Sequence, residues 1–541
     1  MRGAYLKLFA ICLVSAPAVV QAGYVQLPGL EVPSSAAADR DSVVRIFSQS
    51  YNAYRSVAFG HDEVAPVSQK PLDPRNGWGA TIVDAMSTMY IMNLTDFFEE
   101  ALNFTQTIDF TESKTSGTVS IFESTIRYLG GLISAYELSG KQHSFLIDKA
   151  KQLADRLSLG WSRGNTIPFG FVDFSTNQPI IQTSNIAEAG TLTLEWSRLS
   201  EYTGNDTYRK LAEGSVLKIA SNVTYLYPGL PGQGIDPATG NPVGGYVTWG
   251  GGSDSYFEYL IKYAQLSNTN NNVFADSWLT AVDSSIKTLV KTSTIGNHVY
   301  LADFDDQRLI RHVGSHLACF YAGNWLLGGK LTNNDTIVNL ALQLNDACWN
   351  TYAGDATKIG PEVFAYISSD GNFTGDSNPS DDQIAFYQEH GYYITDAVYV
   401  QRPEVLESNF YAWRVTGDPV YLQRAQSAVA SFQTFLSTPT GFTGIYDVNN
   451  PQTEKIDETE SFWFAEVLKY LYLTFDDPSH ISLDDYVFNT EAHPLLAPKA
   501  ESTYGSGQLI PSTTNKFVLR PGPLPAVSPL SLGLNLNLGL L

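Results

Sequence analysis

Along most of the chain, apolar residues recur at three- and four-residue spacing, the period of an amphipathic helix. Three segments share the same punctuation: "AYELSGKQHSFLIDKAKQLADRL", "LSEYTGNDTYRKLAEGSVLKIA" and "AWRVTGDPVYLQRAQSAVASF". In each, a helix runs into Ser-Gly or Thr-Gly, at Gly140, Gly204 and Gly417. A polar residue then opens a second helix with an aromatic near its start. A glycine just past a helix end, followed by a short turn, joins antiparallel neighbours. Strand-like alternation is scarce and short, as in "NHVYLADF". Helical hairpins repeated along the chain predict a toroid or solenoid of helix pairs. The repeats keep no fixed period, so a closed all-α, α/α barrel with long loops fits better than an open array.

No Pro/Ser-rich linker interrupts the chain between Asp41 and Leu496, which predicts one domain over 41–496 after an N-terminal segment 23–40. From residue 497 the composition shifts to "ESTYGSGQLIPSTTNKFVLRPGPLPAVSPLSLGLNLNLGLL". That low-complexity tail, 497–541, is expected to be disordered. Its leucine-rich end is too short and asparagine-interrupted for a membrane span.

Acids break the apolar stripes at helix starts. In "QRPEVLESNF", Pro403 suits the first position of a helix, where its missing N–H costs nothing. Glu404, Glu407 and Phe410 then share one face. If that face turns inward, two carboxylates go with it, and buried carboxylates are costly unless paired or used. "SIFESTIRYLGGLISAY" carries Glu123 and Arg127, and "YVTWGGGSDSYFEYLIKY" carries Asp254 and Glu258. "NIAEAGTLTLEW" carries Glu188 and Glu195, and "ETESFWFAEVLKYLYLTF" carries Glu460 and Glu466, the latter one turn after Phe462.

Each alone has a plain structural account. Glu123 and Arg127 make a helix-face ion pair, Asp254 caps a helix, and Glu460 suits a helix start. Five helix starts doing the same thing is a different observation. Carboxylates converging at one end of a helical barrel, interleaved with aromatics, make a sugar-sized acidic pocket. Paired carboxylates are the equipment of glycosidases.

Composition narrows the partners. The 541 residues are 43% hydrophobic and 12% aromatic, enough for a large core, and the formal net charge of −22 argues against nucleic acid and anionic membranes. The N-terminus has Arg2 and Lys7, a short apolar run and the small-residue end Val20-Gln21-Ala22. That reads as a signal peptide, 1–22, and places the protein in the secretory pathway, secreted. Cys12 leaves with it, and in an oxidising compartment Cys319 and Cys348 are expected to pair, for roughly 3–4 kcal/mol on the chain-entropy account. Sequons at Asn93, Asn103, Asn205, Asn222, Asn334 and Asn372 agree with that route. There is no Gly-x-Ser-x-Gly elbow and no His-Glu-x-x-His helix. "DFDDQR" lacks EF-hand spacing and reads as a solvated loop.

Several long stretches resemble the class I α-1,2-mannosidases of glycoside hydrolase family 47, most of all the secreted fungal branch. They include "AFGHDEVAPVS", "GWGATIVDAMSTMYIM", "FESTIRYLGGLISAYELSG", "DSYFEYLIKY", "RPEVLESNFYAWRVTGD", "ESFWFAEVLKYLYL" and "YVFNTEAHPL". The resemblance implies an (α/α)7 barrel, a bound Ca²⁺, inversion at the anomeric carbon and a high-mannose N-glycan substrate; the protein is expected to be a monomer. It implies Glu123 as general acid, Glu404 as general base and Asp254 as assisting carboxylate. Glu188, Glu258, Glu407 and Glu466 match acids that bind sugar hydroxyls or calcium-bound waters. Arg127 and Phe462 match substrate contacts, and Thr490 the calcium ligand. Cys319 and Cys348 match the family disulfide. Inversion calls for acid and base roughly 6.5–9.5 Å apart, and burial is expected to keep Glu123 protonated. The chain departs from the family at Ser87 and Ser315, where aspartate is frequent. At Gly252 the endoplasmic-reticulum branch carries arginine, so the glycine predicts a roomier pocket. A glycan-binding relative with weak hydrolysis, or another inverting α/α-barrel glycosidase acting on glucans, are the competing readings.

Overall fold

The computed structural model describes residues 23–115, 117–221, 227–375 and 378–511. Fourteen helices pair into seven antiparallel hairpins. The inner members are α2 (Ala80–Ile91), α4 (Gly130–Leu138), α6 (Thr193–Thr203), α8 (Asp254–Ser267), α10 (Phe320–Leu331), α12 (Glu404–Thr416) and α14 (Leu468–Phe475). Their outer partners are α3 (Thr95–Thr105), α5 (Phe145–Leu157), α7 (Thr207–Ala220), α9 (Val273–Thr288), α11 (Asp335–Gly354), α13 (Val420–Phe435) and α1 (Ala37–Ala58). Each inner helix touches the next, and the turn leading into α14 packs back on α2, so the ring closes. The expected (α/α)7 architecture is what forms.

Burial explains which helix goes where. Most inner helices are buried nearly all round: in α10 every residue but Lys330 is buried, although α6 leaves its last turn partly open. Outer helices keep a polar face. In α5 only Leu146, Ile147, Ala150, Leu153, Ala154 and Leu157 are buried, the i, i+3, i+4 stripe of a surface helix. The hairpin turns behave as the punctuation predicts. Gly140, Gly204 and Gly417 all have φ between 68° and 70°, a conformation open to glycine without strain. The Cys319–Cys348 disulfide forms, with Cα atoms 5.9 Å apart, and ties the start of α10 to α11.

All inner helices enter from the same end, so their first turns ring one mouth. From the other end a β-hairpin, β1 (Tyr486–Phe488) and β2 (Pro494–Leu496), plugs the ring. Its tip is held by inner-helix side chains. Ser134 Oγ donates to Pro494 O at 2.7 Å, Lys469 Nζ to Ala492 O at 2.5 Å, and Asn489 Nδ2 to Glu195 Oε1 at 2.8 Å. The barrel is therefore a cup, open at the helix starts and floored by residues 489–493.

Part of the tail departs from expectation. Residues 498–511 pack along the barrel instead of standing free. Tyr504 N donates to Leu331 O at 3.1 Å, Ser506 Oγ to Asp276 Oδ2 at 2.6 Å and Ile510 N to Thr280 Oγ1 at 2.9 Å. Backbone donors answered by α9 and α10 outweigh the weak apolar content of the segment. The expected signal segment 1–22, Asn222 and the tail from 512 onward lie outside the described residues.

Candidate active site

The mouth of the cup opens into a cavity lined by Glu123, Arg127, Glu188, Asp254, Glu258, Glu404, Glu407, Phe462, Glu466 and Thr490. Those are all ten residues singled out for catalysis, substrate or metal. Arg75, Phe122, Asn185, Arg402, Glu460 and Glu491 line it as well.

Local rules put the acids there. Ser120 Oγ accepts from Glu123 N at 3.2 Å, and Asn185 Oδ1 accepts from Glu188 N at 2.8 Å, so polar caps start both turns and point the acids inward. Two expectations shift by one position. Pro403 is the cap residue of α12, with helix beginning at Glu404. Ser253 precedes α8, and Asp254 is its first residue, not its cap. Asp254 Oδ1 accepts its neighbour Ser255 N at 2.9 Å and its carboxyl faces the cavity. Two of the acid-bearing starts are π-helical, Ser124–Leu129 after Glu123 and Trp463–Val467 around Glu466. Such wider turns are rare and concentrate at functional sites.

Depth follows from helix geometry. Glu258 and Glu407 lie one turn into α8 and α12, about 5 Å below Asp254 and Glu404. Thr490 and Glu491 rise to meet them from the hairpin tip. The cavity thus has a wall of Glu123, Asp254 and Glu404, and a floor of Glu258, Glu407, Glu466, Thr490 and Glu491.

The wall carries its own cations. Arg127 Nε donates to Glu123 Oε2 at 2.8 Å, and Arg75 Nε stands 3.7 Å from the same oxygen. Burial alone would push the Glu123 carboxyl up, but the Arg75 and Arg127 guanidiniums outweigh it and hold it below the usual glutamate value. The expectation that burial keeps Glu123 protonated is therefore corrected for the free protein. Arg127 is committed elsewhere too: its Nη1 donates to Ser461 Oγ at 3.1 Å and to Glu491, and it lies 5.6 Å from the centre of the Phe462 ring. It holds the site together as much as it faces a ligand.

On the opposite wall, Glu404 Oε2 meets His316 Nδ1 at 2.7 Å, and His316 Nε2 meets the Tyr352 hydroxyl at 2.8 Å. An ionised carboxylate can only accept, so the His316 Nδ1–H donates to Glu404. Burial raises the Glu404 carboxyl, but the His316 bond and Arg402 bring it below the usual value. Among the described residues no cation or histidine bonds Asp254, and burial outweighs the Ser255 N–H and the more distant Arg402 and pushes it up to about 7.

The floor is different. Burial and neighbouring acids push Glu407 up to about 8, and Glu466 and Glu491 well above the ordinary range. Burial also raises Glu188, against the bond from Ser184 Oγ at 2.7 Å. Glu258 is paired with the buried Lys262. Thr490 N donates nowhere but to Tyr259 OH, at 3.2 Å, and among the described residues nothing hydrogen-bonds the Thr490 hydroxyl or carbonyl. Glu195, expected from its motif to join the acids, lies beneath the floor. It accepts from Tyr259 OH at 2.6 Å and Asn489 Nδ2 at 2.8 Å, and supports the hairpin.

A floor of oxygen donors alone, with excess negative charge and a threonine whose two oxygens are unengaged, suits a hard cation such as Ca²⁺ and not a soft metal. Among the described residues no cluster of three or more His, Cys, Asp or Glu has the geometry of a direct metal cage. Ca²⁺ retaining waters needs no such cage.

The departures from the family also have places. Ser87 Oγ bonds His493 Nδ1 at 3.0 Å under the floor, and Ser315 Oγ accepts from Ala318 N at 3.1 Å. Gly252 has φ 83°, and a Cβ there would come 2.7 Å from Gln233 Nε2. The Gln233 amide, which donates to Gly251 O at 2.6 Å, occupies the space a side chain would need.

Arg75, Arg402 and Glu491 were not singled out in the sequence, although Arg402 and Glu491 adjoin the motif residues Pro403 and Thr490. Arg75 had no signal: it is a loop residue placed by Asp62, whose carboxylate accepts from Arg75 N and Gly77 N, each at 2.7 Å.

Comparison with known proteins agrees with this geometry. Residues 46–497 match Glycosyl hydrolase family 47. A mannosyl-oligosaccharide alpha-1,2-mannosidase of Coccidioides posadasii is 38% identical over 525 residues, covering 92% of this chain and 99% of that protein. One of Emericella nidulans is 37% identical, covering 84% and 92%. The solved structure of an alpha-1,2-mannosidase from Trichoderma reesei superposes with a TM-score of 0.82 at 33% identity, over 85% of this chain and 99% of that one. The chain, with its ring of seven helix pairs and its carboxylate-lined cup, belongs to glycosyl hydrolase family 47.

Proposed function

We propose that the protein is an exo-acting α-1,2-mannosidase that removes terminal mannose from high-mannose N-glycans, with inversion and with Ca²⁺ in the floor of the cup. The relatives' activity supports the substrate class. The observation that carries the mechanism is the division of charge in one cavity: Glu404 kept ionised beside His316, and Asp254 pushed up to about 7.

Glu404 is the base that takes a proton from the attacking water. His316 positions it and keeps its lone pair available. The leaving oxygen needs a proton in return. In the free protein Asp254 stores that proton, while Glu123 is an ion between Arg75 and Arg127. Substrate that displaces water around Glu123 raises its proton affinity, and Glu123 is then the acid that hands the proton on. Thr490, through its carbonyl and hydroxyl, would hold Ca²⁺, with Glu188, Glu258, Glu407 and Glu466 holding its waters or the sugar hydroxyls. When bound, Ca²⁺ supplies a hard positive charge for vicinal hydroxyls of the terminal mannose. Phe462 offers a ring to the sugar. The protein enters the secretory pathway, with signal cleavage after Ala22.

The test is substrate choice and pH. Purified protein should hydrolyse α-1,2-linked mannobiose and leave α-glucans intact. Its kcat/KM should fall as pH rises through about 7, where Asp254 loses its proton, and Asp254→Asn should remove that limb. Equal action on a glucan, or an alkaline limb that survives Asp254→Asn, contradicts this reading.

A further inference from the structure

A second cavity opens at the far end of the barrel. The inner helices start at the catalytic mouth, so their C-termini mark the opposite face. There α2 ends at Ile91, and the turn before α3 carries Asn93. Tyr90, Asn93, Leu94, Phe98, His143 and Tyr472 are among the residues lining the cavity. Tyr90 is 41% exposed, a large ring left uncovered. It meets Phe98 edge-on with centroids 5.3 Å apart, and Phe98 meets His143 at 6.3 Å. An exposed aromatic ring backed by a buried one and rimmed by polar groups is the chemistry that receives a sugar: C–H faces pack on the ring, and hydroxyls meet the polar rim.

Asn93 begins the sequon Asn93-Leu94-Thr95. It is exposed, has φ 57°, and is anchored by its own N–H, which donates to Tyr90 O at 3.0 Å. No described residue hydrogen-bonds its side-chain amide. Asn103, Asn205, Asn334 and Asn372 do not line this cavity.

We propose that Asn93 carries an N-linked glycan whose first N-acetylglucosamine units fold back into this cavity, against Tyr90 and Phe98. This rests on the secretory reading above. In the modification, the Asn93 Nδ2 forms a bond to C1 of the first sugar of a lipid-pyrophosphate-linked oligosaccharide. The C1–O bond to pyrophosphate breaks, and the amide loses one proton. Attachment at the cavity wall gives the first sugars a high effective concentration there. The far-end position also keeps the protein's own glycan away from a mouth that cleaves such glycans.

The test uses the full chain secreted from a yeast host. Glycopeptides are mapped by mass after enzymatic deglycosylation in ¹⁸O water. Tyr90 is then followed by hydroxyl-radical footprinting before and after glycan removal. Asn93 should be occupied, and Tyr90 labelling should rise several-fold once the glycan is gone. Asn93→Gln should lower Tm more than Asn103→Gln while kcat/KM stays unchanged. An empty Asn93 with other sequons occupied overturns the proposal and leaves the secretory reading standing. No occupied sequon overturns both. An occupied Asn93 with Tyr90 equally labelled in both states overturns the seat.

Discussion

Glu123 and Glu404 on the wall of the cup, partly open to its mouth, and Glu407, Glu466 and Glu491 on its floor are all carboxylates largely withdrawn from water. Burial acts on every one of them in the same direction. The wall pair nevertheless stays ionised, while the floor group is pushed toward the protonated form. The difference lies in partners. Glu123 has two guanidiniums within 3.7 Å, and Glu404 has His316 at 2.7 Å with Arg402 nearby. On the floor, Arg127 serves Glu491 but is shared with Glu123 and Asp84, and Lys262 is committed to Glu258, so Glu407, Glu466 and Glu491 are left short of positive charge. The Glu123 and Glu404 carboxylates are electrostatically complete in the protein alone. The floor is complete only with protons or with an added cation.

That contrast can be broken from either side. The largest effect belongs to the wall: Glu404→Gln should lower kcat by about 10³-fold or more with little change in substrate affinity. Isothermal titration beside turnover measurement checks it, and lost binding with normal turnover per bound substrate would remove the base from Glu404. Next is the floor. Thr490→Ala should weaken Ca²⁺ retention by roughly 10- to 100-fold, read by metal analysis after dialysis, a size borrowed from shell-residue losses at metal sites. Unchanged calcium content would refute the ligand.

Smaller effects sharpen the contrast. Arg75→Leu removes one cation beside Glu123, so its carboxyl should bind a proton to higher pH. The pH profile of kcat/KM should move upward relative to the unaltered protein, and an unmoved profile would detach Arg75 from the acid. The smallest effect concerns stability without calcium. Glu407 and Glu195, both pushed to about 8 from an ordinary 4.5, favour the folded state while protonated. Their contribution is present below about pH 4.5 and lost as pH rises through about 8. Calcium-free protein should therefore lose several degrees of Tm between pH 5 and 8, and calcium should restore part of it. A flat calcium-free profile would contradict the floor's charge state.

Much of this was legible in the residues because the fold repeats one local device. The Ser/Thr-Gly turns announced the hairpins, and acids at five apolar helix starts announced the cup, since helices entering from one end bring their first turns together. What stayed hidden depends on contacts between distant segments. Arg75 reaches Glu123 only because Asp62 gathers the loop 75–80, through bonds to Arg75 N, Gly77 N and Ala80 N. The role of Glu195 was invisible because its partners Tyr259 and Asn489 come from α8 and the hairpin. Residues 498–511 looked disordered because they bind through backbone groups, which composition does not reveal.

The central claim is an inverting mannosidase whose floor works only with a cation. The most direct measurement follows the anomeric protons of α-1,2-linked mannobiose by NMR, with purified protein, with and without a calcium chelator. The account predicts early release of β-mannose that stops on chelation and resumes with added Ca²⁺. Initial release of α-mannose, or release indifferent to the chelator, would contradict it.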